Sequence, residues 1–279
     1  MSILSGRDID RLLHSLFACV LFLTILFLWQ LSYAGSCVAL VLPGLAFVAI
    51  FHGLLEYRLE RRRFSVDYYL DRASPLHGWF RRTGLSAPIA LVVALPLTAF
   101  LSVFAARSRP TDWYFLFAAA TAAPLLHHAL GHWPGRHFRS GEGDARRPVV
   151  ADILVARLAG TLLLGGVVAA YVYAGYYLIT VPEGIFPESM ERTVEAFSVR
   201  ARSACPIVQN TLQIAAQLDG LSWYFVTTAA TSTWLHDGIR PVVWAAFLLN
   251  AAMVFGGFVR GLEGSILLAC RFGRCRKDE

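Results

Sequence analysis

Long apolar runs recur along this chain and alternate with polar segments. A membrane span needs about 20 apolar residues, and six runs approach or exceed this length. They are Leu12–Trp29, Cys37–Leu55, Leu85–Ala106, Trp113–Leu130, Val150–Val181 and Val242–Cys270. The short segments LSYAGS and RSRPTD follow the first and third runs, so each can close a helical hairpin. The pattern predicts an all-α integral membrane protein with about six transmembrane helices in three hairpins.

Residues 182–240 separate the fifth and sixth runs and are too polar for a seventh span. The stretch CPIVQNTLQIAAQLDG carries several amide side chains and an aspartate, which hydrocarbon would leave unpaired. By contrast, ESMERTVEAFSVRAR has helical spacing of apolar residues, and Pro206 suits the first turn of a second helix. We predict a helical extracytoplasmic insertion here, an amphipathic cap on the membrane surface.

Basic residues are distributed unevenly among the polar segments. Seventeen of the 25 lie before the first run, in 58–83, in 133–149 or after Cys270, which share one side if the chain crosses six times. Six lie in segments on the other side. Because arginines near span ends stay in the cytoplasm, we predict cytoplasmic N and C termini and a periplasmic cap. Lysine occurs once, a composition typical of a GC-rich bacterial genome, so the predicted location is a bacterial inner membrane.

The overall composition agrees with a membrane location. Hydrophobic residues make up 56% of the chain and charged residues 16%, with a mean hydropathy of +0.54, whereas a soluble domain has about 25% charged residues. We divide the chain into 1–181 with five helices and two basic loops, 182–240 as the cap, and 241–279 with the last helix and a basic tail. The expected partners are the lipid bilayer and other membrane subunits or further copies of the chain, and no nucleic acid is expected.

Histidines cluster at the cytoplasmic end of the fourth run, in LLHHALGHW. His128 and His132 are four residues apart, so one helix face can present both to a metal ion. His52 lies near the same membrane level, and with His128 it could bind a haem between facing helices. A histidine at the membrane interface, with its polar tip in water, is the alternative explanation. The candidate metal ligands are therefore His52, His128 and His132, and the candidate cofactors are haem or a metal ion.

The last apolar run contains three polar residues. Arg260 and Glu263 are three residues apart, so they can pair within one helix, while Asn250 can hydrogen-bond across a helix interface. A helix over the whole run 242–270 would be about 43 Å long, too long for an upright span. We therefore expect the span to end near Val259, with the remaining residues along the inner surface, and a continuous helix is the alternative.

Two cysteines, Cys37 and Cys205, fall on the predicted periplasmic side, where disulfides persist. A bond between them would tie the cap to the first hairpin, and two buried free thiols are the alternative. No two of the five cysteines have the CxxC spacing, so zinc binding of that kind has no support.

Motifs of known catalytic chemistry are absent from the sequence. It contains no GxxxxGK[ST] loop, GxGxxG turn, GxSxG or HExxH. This favours a non-enzymatic subunit of a larger membrane assembly, such as a secretion, conjugation or transport complex. Two alternatives stay open: a haem- or metal-binding redox protein that uses the histidines, and a small-solute channel or carrier.

Overall fold

The structure, a computed structural model, describes residues 6–69, 86–131, 147–177, 184–199, 202–231 and 240–275. Within these ranges every regular element is a helix, and the prediction of an all-α protein is confirmed. The helices are α1 (Gly6–Ser32), α2 (Val41–Tyr69), α3 (Ser86–Arg107), α4 (Pro110–Gly131), α5 (Arg147–Tyr177), α6 (Met190–Ser198), α7 (Pro206–Thr231) and α8 (Arg240–Cys275). A 3₁₀ turn, Cys37–Leu40, precedes α2.

Several of these helices are long and apolar enough to cross a membrane, which makes the chain a multi-pass membrane protein. Among the described residues there are five such segments: Leu12–Ser32, Cys37–Leu59, Ser86–Arg107, Val155–Ala174 and Leu248–Ala269. The fourth predicted span corresponds to α4, a helix of 22 residues that is not among the five. It is less apolar because Pro124 and two histidines interrupt its second half.

Short turns join the first two pairs of helices. After α1, the backbone N–H of Tyr33 donates to the carbonyl of Trp29 at 2.9 Å, and Gly35 donates to Ser32 at 3.1 Å. Between α3 and α4 only two residues intervene. Pro110 then begins α4, as suits a residue that has no N–H to satisfy in the first turn. These turns bring the ends of α1, α2, α3 and α4 together at the end of the bundle that also carries the cap.

Helix α8 lies at the centre of the bundle. Within its candidate span 72% of the residues are buried, against 33 to 39% for the other four spans. It packs against α1, α2, α3 and α5, and Phe255, Phe258 and Leu262 are fully buried there. The surrounding helices keep apolar side chains such as Phe17, Val92 and Leu162 exposed, as expected for surfaces that contact lipid.

The expectation that the last span ends near Val259 is wrong. Helix α8 continues without interruption to Cys275, and Leu262, Glu263 and Ile266 are buried in the bundle. The physical reason is close packing on α2. A Cβ atom on Gly264 would lie 2.0 Å from the carbonyl oxygen of Ala49, so only glycine allows the two backbones to approach this closely. The excess length of α8 lies outside its candidate span, at both ends.

Candidate functional site

The cap, which we define as residues 184–231 as far as they are described, is attached to the turn between α1 and α2. Cys205 and Cys37 form a disulfide, with their Cα atoms 4.8 Å apart. Next to it, the Ser203 hydroxyl donates to the carbonyl of Tyr33 at 2.6 Å, and the Ala204 N–H donates to the carbonyl of Ala34 at 3.0 Å. The sequence-derived disulfide candidates therefore lie together in the structure, at the start of α7.

Helix α6 folds back onto α7 to form the body of the cap. Ser189 precedes α6, and its hydroxyl accepts the N–H of Arg192, which satisfies a free donor of the first turn. Thr193 is fully buried and exchanges hydrogen bonds with the backbone of Phe186. Phe197 packs on Gly220 of α7, where a Cβ atom would lie 3.1 Å from its side chain. These contacts give the cap an internal core of its own.

A cavity of about 650 Å³ lies between the cap and the membrane helices. Its volume is within the range of small-molecule binding sites, about 300–1,000 Å³. One wall is a face of α7, and the opposite walls come from α3, α5 and α8. The residues that line it include Phe100, Phe104, Arg107, Arg109, Asp112, Tyr171, Ala215, Asp219, Asn250, Ala251, Val254 and Phe255.

Charged groups meet at the cap end of this cavity. Arg107, at the end of α3, donates to Asp219 Oδ2 of α7 at 3.0 Å. Asp112 accepts the backbone N–H of Arg109 at 2.7 Å and a hydrogen bond from the hydroxyl of Tyr171. The Arg107–Asp219 pair joins cap and bundle, whereas the Asp112 bonds hold the turn between α3 and α4 against α5.

The two aspartates differ in their access to the cavity. Both line the cavity, but Asp112 is buried, with 6% of its surface exposed, while the Asp219 side chain keeps 38% of its surface exposed. Burial raises the pKa of both carboxyls. The backbone N–H and charge of Arg109 oppose this rise in pKa at Asp112, and Arg107 opposes it at Asp219. Asp219 is therefore the acid that a bound molecule can contact.

The part of the cavity farther from the cap is apolar and aromatic. The ring centres of Tyr171 and Phe255 lie 4.9 Å apart. The ring centre of Phe104 lies 6.2 Å from that of Tyr171 and 5.7 Å from that of Phe255. These ring pairs meet edge to face or nearly so, a favoured aromatic arrangement. The cavity thus has a charged end and an apolar end.

Asn250, one of the polar residues singled out in the sequence, lines this cavity from α8 and is exposed. The other two, Arg260 and Glu263, lie about 15 and 20 Å farther along the same helix. Arg260 donates to both carboxylate oxygens of Glu263, and Arg157 of α5 approaches that carboxylate at 3.7 Å. The Arg157 guanidinium also stacks on the ring of Tyr57, 4.5 Å from its centre. This second cluster joins α2, α5 and α8 at the end of the bundle away from the cap.

The histidines are divided among different environments. His52 lies 3.7 Å from Glu56 on the same helix, His128 is half-buried near the end of α4, and His132 falls outside the described residues. Within the part of the chain that the structure describes, no group of three or more His, Cys, Asp or Glu side chains could hold a metal ion. Haem or metal binding stays a prediction that rests on the sequence.

Arg107, Asp112, Tyr171 and Asp219 were not identified as site residues from the sequence. Arg107 and Asp112 stand at the ends of apolar runs, where charged residues are common at the membrane surface. In the sequence, Asp219 indicates only that its segment is too polar to span the membrane. The signal that could have found them is that oppositely charged residues border the same side of the membrane, although distant in sequence.

Comparison with known proteins finds no protein family, no curated protein and no solved structure that matches this chain. The arguments about function therefore rest on its own residues.

Proposed function

We propose that this multi-pass membrane protein binds a small amphipathic molecule in the cavity between its cap and its membrane helices, as the binding component of a carrier or receptor. The observation that supports this function is the cavity itself, which has charged groups at one end and aromatic walls at the other. Such concave sites, apolar with a few polar groups, are where proteins bind small molecules. This role develops the small-solute alternative of the sequence analysis.

Filling the cavity tests this function. Ala215→Phe on α7 and Ala251→Phe on α8 each place a ring in the cavity, and Ala170→Phe places the same ring on an exposed position of α5 outside it. The purified proteins are compared by native mass spectrometry for amphiphiles that are retained or added. We expect both cavity variants to lose the bound species and the Ala170 variant to keep it. Equal binding by all three would contradict the proposed site.

We further propose that the cap faces the periplasm of a bacterial inner membrane and that both termini are cytoplasmic. The excess of arginine in 58–83 and 133–149 supports this orientation. The disulfide at the base of the cap also supports it, because disulfides persist in oxidising compartments. A reporter fused after Ser198 should be active only as an exported protein, and one at Glu279 only as a cytoplasmic protein. The opposite pair of results would reverse the orientation.

Membership of a larger membrane assembly is a second proposed role, supported by an exposed stripe on α7. Apolar or small side chains recur along one face of α7 at alternating intervals of four and three residues. Four of the large apolar side chains on this face are 41 to 68% exposed. This stripe, the α7 seam, consists of Ile207, Thr211, Ile214, Leu218, Leu221 and Phe225. Spacing of this kind lets one helix pack along another. The seam therefore fits a helix of a second subunit or of a second copy.

Crosslinking tests the assembly role. A cysteine at Ile214 lies on the α7 seam, and a cysteine at Glu195 lies at an exposed position of α6. We expect oxidation in membranes to join the first variant to a partner, whose mass identifies it as another copy or a different protein. If the Ile214 variant gives no more product than the Glu195 variant, the seam is not a contact surface.

A further inference from the structure

We infer that the molecule bound beneath the cap has a zwitterionic head group, with no net charge, that carries both a cationic N–H donor and an anionic oxygen. Aminophosphate and amino-acid head groups are of this class. The inference rests on the proposed function, since it specifies the ligand of the same cavity. It is carried by the charge balance, by the hydrogen-bonding groups that remain available, and by the direction in which the walls become apolar.

The charged end of the cavity is balanced. Arg107 and Arg109 contribute two positive charges, and Asp112 and Asp219 contribute two negative charges when ionised. A head group with a net charge would leave one charge without a counter-charge in a partly buried site, which is unfavourable. A head that brings one positive and one negative group avoids this penalty, because each can face an opposite charge of the wall.

The bonds within the site leave groups of both kinds for a ligand. Arg107 has five N–H donors, and Asp219, across the cavity, accepts from one of them through Oδ2. Among the described residues no hydrogen bond reaches Asp219 Oδ1, so this oxygen can accept from an ammonium group. An anionic oxygen of the same head group can accept a hydrogen bond from Arg107 or Arg109. Asp112 is already engaged by Arg109 and Tyr171.

The walls dictate where the rest of the molecule lies. On α3, Phe104 and Phe100 stand one and two turns from Arg107, which extends the apolar wall about 10 Å away from the charges. On α8, Val254 and Phe255 stand about one turn from Asn250 in the same direction, because α3 approaches the cap and α8 leaves it. A head between Arg107 and Asp219 therefore directs its tail along aromatic side chains.

Four single-chain amphiphiles with the same alkyl tail test the inference. Their heads are phosphoethanolamine, phosphocholine, a phosphate monoester and a primary amine, and binding is measured by native mass spectrometry in a nonionic detergent. We expect phosphoethanolamine to bind about tenfold more tightly than phosphocholine, which has no N–H to donate to Asp219. The phosphate and amine forms, which carry a net charge, should also bind more weakly than phosphoethanolamine.

Asp219→Asn separates recognition by this acid from other effects. The variant should bring phosphoethanolamine and phosphocholine binding to within about twofold of each other, and any remaining binding of either head also shows that the protein is folded. Glu191→Gln, the same change on an exposed position of α6, should preserve the tenfold preference.

The outcomes distinguish the inference from the function on which it rests. Equal binding of all four heads, a preference for a net-charged head, or a preference that survives in Asp219→Asn would overturn the inference and leave the cavity as a binding site. Failure of all four to bind, together with no effect of the Ala215 and Ala251 variants on retained molecules, would overturn the proposed function as well.

Discussion

Gly160 determines whether the buried carboxylate of Glu263 can occupy its position, so Gly160→Ala should destabilise the bundle. A Cβ atom at residue 160 would lie 1.7 Å from Glu263 Oε1 and 2.6 Å from its Cδ, far inside ordinary contact distance. The carboxylate would have to move away from Arg260 and Arg157. Removing one partner of a buried ion pair costs about 3–5 kcal/mol. Here the partner is displaced, and the Arg157 side chain keeps 32% of its surface exposed, so we expect a smaller loss of about 2–3 kcal/mol.

The same helix offers a matched control. Gly165 belongs to α5, and a Cβ atom there would meet nothing within 4 Å. Gly165→Ala should leave stability unchanged or raise it by up to about 1 kcal/mol, since alanine favours a helix more than glycine does. Unfolding in mixed micelles with an increasing fraction of denaturing detergent, followed by circular dichroism, gives the free energies of unfolding of both variants.

A double substitution separates steric overlap from other effects of alanine. In a Glu263→Ala background the carboxylate is gone, so Gly160→Ala should add little further destabilisation, and the coupling between the two changes should be about 1–3 kcal/mol. If Gly160→Ala is as stable as Gly165→Ala, or if its effect is unchanged in the Glu263→Ala background, the reasoning about this contact is refuted.

Three further predictions concern packing, the cap and its acid. Gly264→Ala should lower stability by about 1–3 kcal/mol because its Cβ atom would overlap the α2 backbone, whereas Gly44→Ala meets nothing and should be neutral in the same unfolding assay; equal effects would contradict the close approach. Replacing Cys37 and Cys205 by serine should destabilise the cap by about 2–4 kcal/mol, since the bond closes a loop of 168 residues. The destabilisation should appear as faster proteolysis within the cap, and an unchanged rate of proteolysis would contradict this prediction. Burial raises the pKa of Asp219, so this group contributes stability below the ordinary aspartate pKa and loses it as the pH rises to the raised value. Binding of an amine-bearing head should weaken as the pH falls through that raised pKa, and Asp219→Asn should remove the pH dependence; a dependence that persists would assign it to another group.

Hydrophobic pattern was sufficient to predict the helices but not all of their boundaries. Each apolar run corresponds to a helix because its length and composition leave few other ways to satisfy the backbone in lipid. The prediction that the last span ends near Val259 is wrong, because it rested on the length of the run and not on what the helix packs against. In the structure Gly264 instead permits close contact with α2, and this depends on a neighbour that the sequence of α8 does not identify.

Groups that meet across the fold could be predicted only in part. The pairing of Cys37 with Cys205 could be predicted because both fall on the same side of the membrane, although 168 residues separate them. The proximity of Arg107 to Asp219 has no comparable signal, because it depends on how α7 lies over the end of α3. Asn250 is a candidate from its polarity alone, but its position in the same cavity as this pair follows from how α8 packs.

The central claim, that a molecule binds beneath the cap, is tested most directly by an experimental density map of the protein in lipid nanodiscs. We predict elongated density between α3, α7 and α8, with its polar end between Arg107 and Asp219 and its tail beside Phe104 and Phe255. A cavity closed by its own side chains, or occupied by separate water molecules only, would contradict the account.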